Sequence, residues 1–244
     1  MDPRLEIIGE RLKDIKRSIA ISGGKGGIGK SSVASTIALT LSSLGHKVGL
    51  LDLDFYGPST HVILGITGIY PQEEKGIVPP EVHGIKFMSI IYYARDNPSP
   101  LRGADVSNAM IELLAITRWG QLDFLIVDMP PGIGDATLDM IRLMEKTGFL
   151  IVTTQSKVTL ETVKKILEML KELEVPIIGV IENMKMLKSS SVREQIREFD
   201  VPLLGEIDFD KNLEASTGDA NQLLQTDFAQ SVRRIVLSTP EFKL

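Results

Sequence analysis

The sequence predicts an α/β fold in three layers, a mostly parallel central sheet flanked by helices on both faces. Two observations predict it. Short apolar runs recur along the chain with helical stretches between them, and the runs are continuous where a half-exposed sheet would show alternation. The first run leads into Ser22-Gly23-Gly24-Lys25-Gly26-Gly27-Ile28-Gly29-Lys30-Ser31-Ser32, a glycine loop set between a strand and a helix.

Taken in order, Asp2-Pro3 followed by Leu5, Ile8, Leu12 and Ile15 predicts a capped amphipathic helix over residues 3–17. Residues 18–22 read as a short buried strand. After the glycine loop, Val33, Ile37, Leu41 and Leu44 recur at helical spacing. Residues 48–51 form a strand that ends at Asp52-Leu53-Asp54. The rhythm breaks over 66–102, where Pro71, Pro79, Pro80, Pro98 and Pro100 predict an insertion of loops with a small hairpin around 76–90. Strands are then expected at 124–127, 149–152, 177–181 and 203–207, and helices near 104–118, 135–147, 158–173, 191–199 and 221–237. The chain is expected to be a single domain over residues 1–244.

Composition narrows the function classes. The 244 residues can bury a substantial core, and 43% hydrophobic with 24% charged residues is ordinary for a soluble globular chain. A formal charge of −5 argues against broad nucleic-acid binding. No apolar run approaches the roughly 20 residues of a membrane span, and the N-terminus is too charged for a secretory signal, so a cytoplasmic address is expected. The chain has no cysteine, which removes disulfides, thiolate zinc sites, cysteine nucleophiles and iron–sulfur ligation by its own thiolates. His46, His61 and His83 are far apart in sequence and are expected to be surface or turn residues.

The chemistry gathers at strand ends. Gly24, Gly29, Lys30 and Ser31 fit the Gly-x4-Gly-Lys-Ser/Thr pattern, in which backbone N–H groups wrap a phosphate and the following helix N-terminus adds a favourable dipole. Lys30 would neutralise outer phosphates, and the Ser31 hydroxyl would serve a magnesium ion. Lys25, a second lysine inside the loop, can offset further charge. Asp128, opening Asp128-Met129-Pro130-Pro131-Gly132-Ile133-Gly134-Asp135, has the placement of a magnesium-holding aspartate. Asp54 is the candidate for water positioning and faces the metal, whereas Asp52 is expected to be structural. Gly24, Gly26 and Gly29 also spell Gly-x-Gly-x-x-Gly, the dinucleotide fingerprint. The adjacent Lys30-Ser31 and the Asp128 segment decide against it, because a dinucleotide site needs neither.

These residues resemble a known group. Residues 25–31 look like the deviant Walker A motif of the MinD/ParA/NifH-like P-loop ATPases. Asp-x-Asp-x-x-Gly-Pro-Ser (52–59), Arg102-Gly103, Trp-Gly-x-Leu-Asp (119–123), the Asp128 segment and Glu182-Asn183-Met184 resemble its Mrp/ApbC branch. The resemblance implies the three-layer P-loop NTPase fold and a magnesium-dependent homodimer that slowly hydrolyses ATP to ADP and phosphate. It implies a nucleotide site of Gly24, Lys25, Gly26, Gly27, Ile28, Gly29, Lys30, Ser31 and Ser32. Asn183 would read the adenine edge there, and Asp208 would complete that pocket. Asp54, Lys25 and Lys30 would serve catalysis, with Lys25 reaching the partner's nucleotide, and Ser31, Asp128 and Asp54 would serve the metal. Cluster-carrying members have Cys-x-x-Cys soon after Glu-Asn-Met. Here that stretch reads Lys185-Met186-Leu187-Lys188-Ser189-Ser190-Ser191, so no iron–sulfur cluster is expected on this chain. A part in cluster assembly through an unidentified client protein stays open. So do a ParA/MinD-like partner-recruiting or positioning ATPase and a nucleotide-dependent scaffold with little turnover. No membrane anchor is expected from the 232–237 segment, which reads as a docked last helix.

Overall fold

The computed structural model describes residues 2–94, 104–186 and 192–244. Arg102-Gly103 and residues 187–191 lie outside the described residues. The chain runs α1 (Arg4–Leu12), β1 (Ile15–Gly23), α2 (Lys30–Ser43), β2 (Val48–Asp52), α3 (Thr60–Ile63), β3 (Gln72–Glu73), β4 (Ile77–Val78), β5 (Glu81–Val82), β6 (Ile85–Ser89), α4 (Ile91–Ala94) and α5 (Ala104–Ile116). It continues through β7 (Leu122–Asp128), α6 (Asp135–Leu143), β8 (Gly148–Thr153), α7 (Lys157–Glu172), β9 (Ile177–Lys185), α8 (Val192–Ile196), β10 (Leu203–Asp208), α9 (Ala220–Gln225) and α10 (Asp227–Ser238).

Eight strands form the central sheet in the order β10-β9-β8-β1-β7-β2-β6-β5. Every pairing is parallel except β5 with β6. Helices cover both faces, which is why the strands are apolar throughout. On β1, Ile19 and Ile21 join the core beneath α2, α9 and α10, while Ala20 joins the core beneath α1 and α5 to α8. This is the three-layer arrangement the sequence predicts.

Several boundaries differ from expectation, each for a local reason. The helix expected over 3–17 stops at Leu12, and Ile15 starts a strand ladder opposite Leu122. Ile15 satisfies a helical and an alternating pattern equally, and pairing with β7 selects the strand. The helix expected over 221–237 divides at Thr226, whose hydroxyl accepts from the Ala229 N–H at 3.1 Å and caps α10. The stretch expected at 191–199 is α8 followed by a 3-10 turn, Arg197–Phe199. Within 66–102 two short hairpins form, β3 with β4 and β5 with β6. β6 then lies parallel to β2, with Val48 opposite Ile85, so this segment supplies an edge of the main sheet as well as loops. Ile85 and Phe87 are fully buried, which explains its docking. Val232, Ile235 and Val236 of α10 are buried, and no helix among the described residues is long and apolar enough to cross a membrane.

Candidate functional site

β1, β7 and β2 are neighbours, and their carboxyl ends carry the glycine loop, Asp128 and Asp52. Asp128 stands opposite Ile21 of β1 on one side and Asp52 of β2 on the other. The parallel sheet thus gathers at one edge groups that lie 98 residues apart in the chain.

The loop is shaped from behind. Gly24 lies flush against α7, where a Cβ would come within 2.8 Å of the Thr162 Cβ and 3.1 Å of the Thr159 carbonyl oxygen. The Ile28 side chain turns inward and is buried, and the Gly132 N–H donates to the Gly23 carbonyl at 2.9 Å. The turn following β7 is therefore tied to the end of β1, where the glycine loop departs. In front, Lys25, Gly26, Gly27, Gly29, Lys30, Ser31 and Ser32 line a cleft of about 330 Å³, with Asp54 and Pro131 on its other walls. Lys25 is exposed at this cleft.

Lys30 opens α2 and points into the molecule. Its Nζ lies 2.5 Å from Asp128 Oδ1, with side chains 6% and 0% exposed. Burial pushes the Asp128 carboxyl up to about 6; the Lys30 ammonium opposes that rise, nearby Asp52 adds to it, and the Ser31 hydroxyl opposes it. Asp128 Oδ2 is buried and meets no hydrogen-bond donor among the described residues. Asp52 is also fully buried. It accepts from the Thr60 hydroxyl at 2.6 Å, the Thr60 N–H at 3.3 Å and the Asp54 N–H at 3.0 Å. Burial raises its pKa and these three donors oppose the rise. Asp52 thereby fixes the turn that carries Asp54. The Asp54 carboxylate accepts from the Gly57 and Tyr56 N–H groups at 3.0 and 3.3 Å, an Asx-type turn on the cleft wall.

Two residues stand elsewhere. Asn183, at the far end of β9, is buried behind the loop and donates from Nδ2 to the Ile28 carbonyl at 2.8 Å. Asp208 ends β10 opposite Lys185 and is exposed. Neither lines the cleft that Lys25, Lys30 and Asp54 share. Thr60, the partner of Asp52, carries no sequence signal, because a spacing of eight residues makes no local pattern.

A loop lysine turned onto the aspartate that ends the adjacent parallel strand places the chain among the P-loop NTPases. Solved structures agree on the fold. A nucleotide-binding protein from Archaeoglobus fulgidus, in complex with ADP, superposes with a TM-score of 0.75 at 28% identity, over 98% of this chain and 96% of that one. The septum site-determining protein MinD of Pyrococcus horikoshii, complexed with Mg-ADP, does so at 0.68 and 21% identity, over 90% and 93%.

Within that class, the chain belongs to the ParA family, described as NUBPL iron-transfer P-loop NTPase, whose model matches residues 14–239. It is 43% identical over 179 residues to the iron-sulfur cluster carrier protein of Aquifex aeolicus, covering 72% of this chain and 49% of that protein. The corresponding protein of Pseudomonas fragi is 42% identical over 177 residues, covering 71% and 62%. The chain therefore spans about half to under two thirds of the length of these relatives.

Proposed function

We propose that the chain is a magnesium-dependent protein that binds and slowly hydrolyses ATP and acts as a nucleotide-switched homodimer. The observation that carries this reading is Lys30 held by Asp128 at the back of the glycine-loop cleft. A lysine whose partner is a single buried carboxylate oxygen could exchange that partner for β- and γ-phosphate oxygens. Buried Asp128 Oδ2, lacking a donor among the described residues, and the neighbouring Ser31 hydroxyl are hard oxygen ligands that fit magnesium. Ser31, Asp128 and Asp54 would hold that ion, which when bound offsets phosphate charge. Asp54 would position the attacking water, and Asn183 and Asp208 would serve the adenine.

The homodimer is supported by exposed apolar side chains that follow the carboxyl ends of the sheet strands. Tyr56, Ile133, Met186 and Phe209 follow the carboxyl ends of β2, β7, β9 and β10 with exposed apolar side chains, and Lys25 is exposed in the loop that follows β1. A second copy would cover these side chains and receive Lys25 near its own nucleotide. The relatives are called iron-sulfur cluster carriers, and for this chain we propose service to such a pathway through a client protein. Its lack of cysteine means that thiolate ligands would come from that client. The same lack favours a second reading, a ParA/MinD-like ATPase that recruits a partner.

The test is Mg-ATP binding and turnover by the purified chain, with Asp54→Asn as the comparison. Retained binding with abolished turnover is expected. Equal turnover in the variant overturns the assignment of Asp54.

A further inference from the structure

β9 continues past its apolar stretch through Glu182 and Asn183, so that a polar side chain arrives directly behind the glycine loop. Asn183 is 1% exposed, and its Nδ2 reaches the Ile28 carbonyl across 155 residues of chain. The peptide that follows Ile28 is trans, as are the others among the described residues. In a trans peptide the C=O and the next N–H point in opposite directions. Holding the Ile28 carbonyl on the β9 side therefore turns the Gly29 N–H the other way. Gly29 lines the cleft, which Asn183 does not, and among the described residues its N–H donates to no backbone carbonyl.

We propose that Asn183 is a positioning residue that presets the Gly29 N–H as a donor to phosphate. The proposal deepens the ATP-binding reading and rests on it. The Ile28–Gly29 peptide is pinned at three points. The Ile28 side chain is locked in the core, where its Cδ1 would lie 2.4 Å from a Cβ on Gly23. The carbonyl is held by Asn183. Gly29 takes a left-handed φ of 78°, and a Cβ there would fall 2.4 Å from Asn183 Nδ2, so glycine is required for the backbone turn and for the close approach. A donor fixed before the ligand arrives pays no reorientation cost when the ligand binds. This role uses the amide nitrogen of Asn183 as the loop's partner, which a purely adenine-reading role does not require.

The two roles separate by ligand. Calorimetric titration of wild type, Asn183→Leu and Asn183→Asp with ATP and with bare tripolyphosphate is the experiment, with circular dichroism confirming that each variant is folded. Leu removes the donor without adding charge; Asp keeps the shape, removes the donor and adds a carboxylate that repels polyphosphate. Asn183→Leu is expected to weaken tripolyphosphate by a factor of about 10, the worth of one hydrogen bond to a charged group, and ATP by at least that factor, with Asn183→Asp weakening both further. In ¹⁵N-resolved spectra the Gly29 amide is expected to move downfield with tripolyphosphate in wild type and to stay in place in Asn183→Leu. Tripolyphosphate affinity unchanged in both variants, with ATP alone weakened, overturns the positioning role. A wild-type chain that binds neither ligand overturns the ATP-binding reading itself.

Discussion

Lys30 Nζ and Asp128 Oδ1 meet at 2.5 Å in a site that admits almost no water, one at the start of α2 and the other at the end of β7. An ion pair so placed is weak evidence of stability, because desolvating both charges offsets most of their attraction. Its value lies in what happens when one partner leaves. The remaining charge is then buried alone, unless phosphate or a metal ion replaces the lost partner.

Lys30→Met is accordingly expected to destabilise the ligand-free chain by about 3–5 kcal/mol, the usual cost of breaking a buried pair. Adding Asp128→Asn should recover most of that loss, since it removes the uncompensated charge. Urea unfolding of the two variants and wild type measures the difference. A double variant no more stable than Lys30→Met would show that the pair carries no such coupling.

Gly49 lies in the middle of β2, beneath Trp119. A Cβ there would sit 2.8 Å from Trp119 Cζ3, 2.8 Å from Leu122 Cδ1 and 3.0 Å from Leu125 Cδ1. All three neighbours are core side chains. Gly49→Ala is expected to cost about 1–3 kcal/mol by overpacking while leaving ATP affinity unchanged. Trp119 is the only tryptophan and is fully buried, so its emission follows unfolding directly.

Asp123 gives a pH dependence with a definite sign. Lys16 Nζ at 2.8 Å, and then the Lys47 N–H at 2.8 Å, hold its carboxyl below the ordinary 3.8. The unfolded chain therefore binds this proton more readily than the folded one. The contribution of Asp123 to stability is fully present above its unfolded pKa and is lost as pH falls through the folded value. The stability difference between wild type and Asp123→Asn should shrink as pH falls below 3.8. A difference that does not change with pH removes the linkage.

The proposed role of Lys25 in the partner's site is tested by mixing two inactive variants. Lys25→Ala keeps its own Asp54, and Asp54→Asn keeps its own Lys25. If the lysine acts across the dimer, the mixture contains one complete site per heterodimer and recovers turnover. If it acts within its own chain, the mixture stays as inactive as its components.

Much of this site was legible because its chemistry is local in sequence. The glycine spacing, Lys30-Ser31, and carboxylates directly after apolar runs are each visible within a few residues, and parallel strands bring their ends together without further instruction. The segment 15–17 misled because Ile15 fits two periodicities at once, and only the ladder to Leu122 resolves them. The Thr226 break depends on a single hydroxyl serving as a cap. The Asn183–Ile28 bond was out of reach for a different reason. It joins two chain segments through one side-chain orientation, and no pattern of residue types records that choice. The contact of Asp52 with Thr60 belongs to the same class.

The measurement that bears most directly on the central claim is calorimetric titration of Mg-ATP into wild type and Lys30→Ala, each verified as folded. Saturable binding by wild type and a loss of at least about 100-fold in the variant are expected, the worth of charge-assisted contacts to phosphate. Equal affinity in the two proteins would contradict the assignment of the glycine loop as the ATP site.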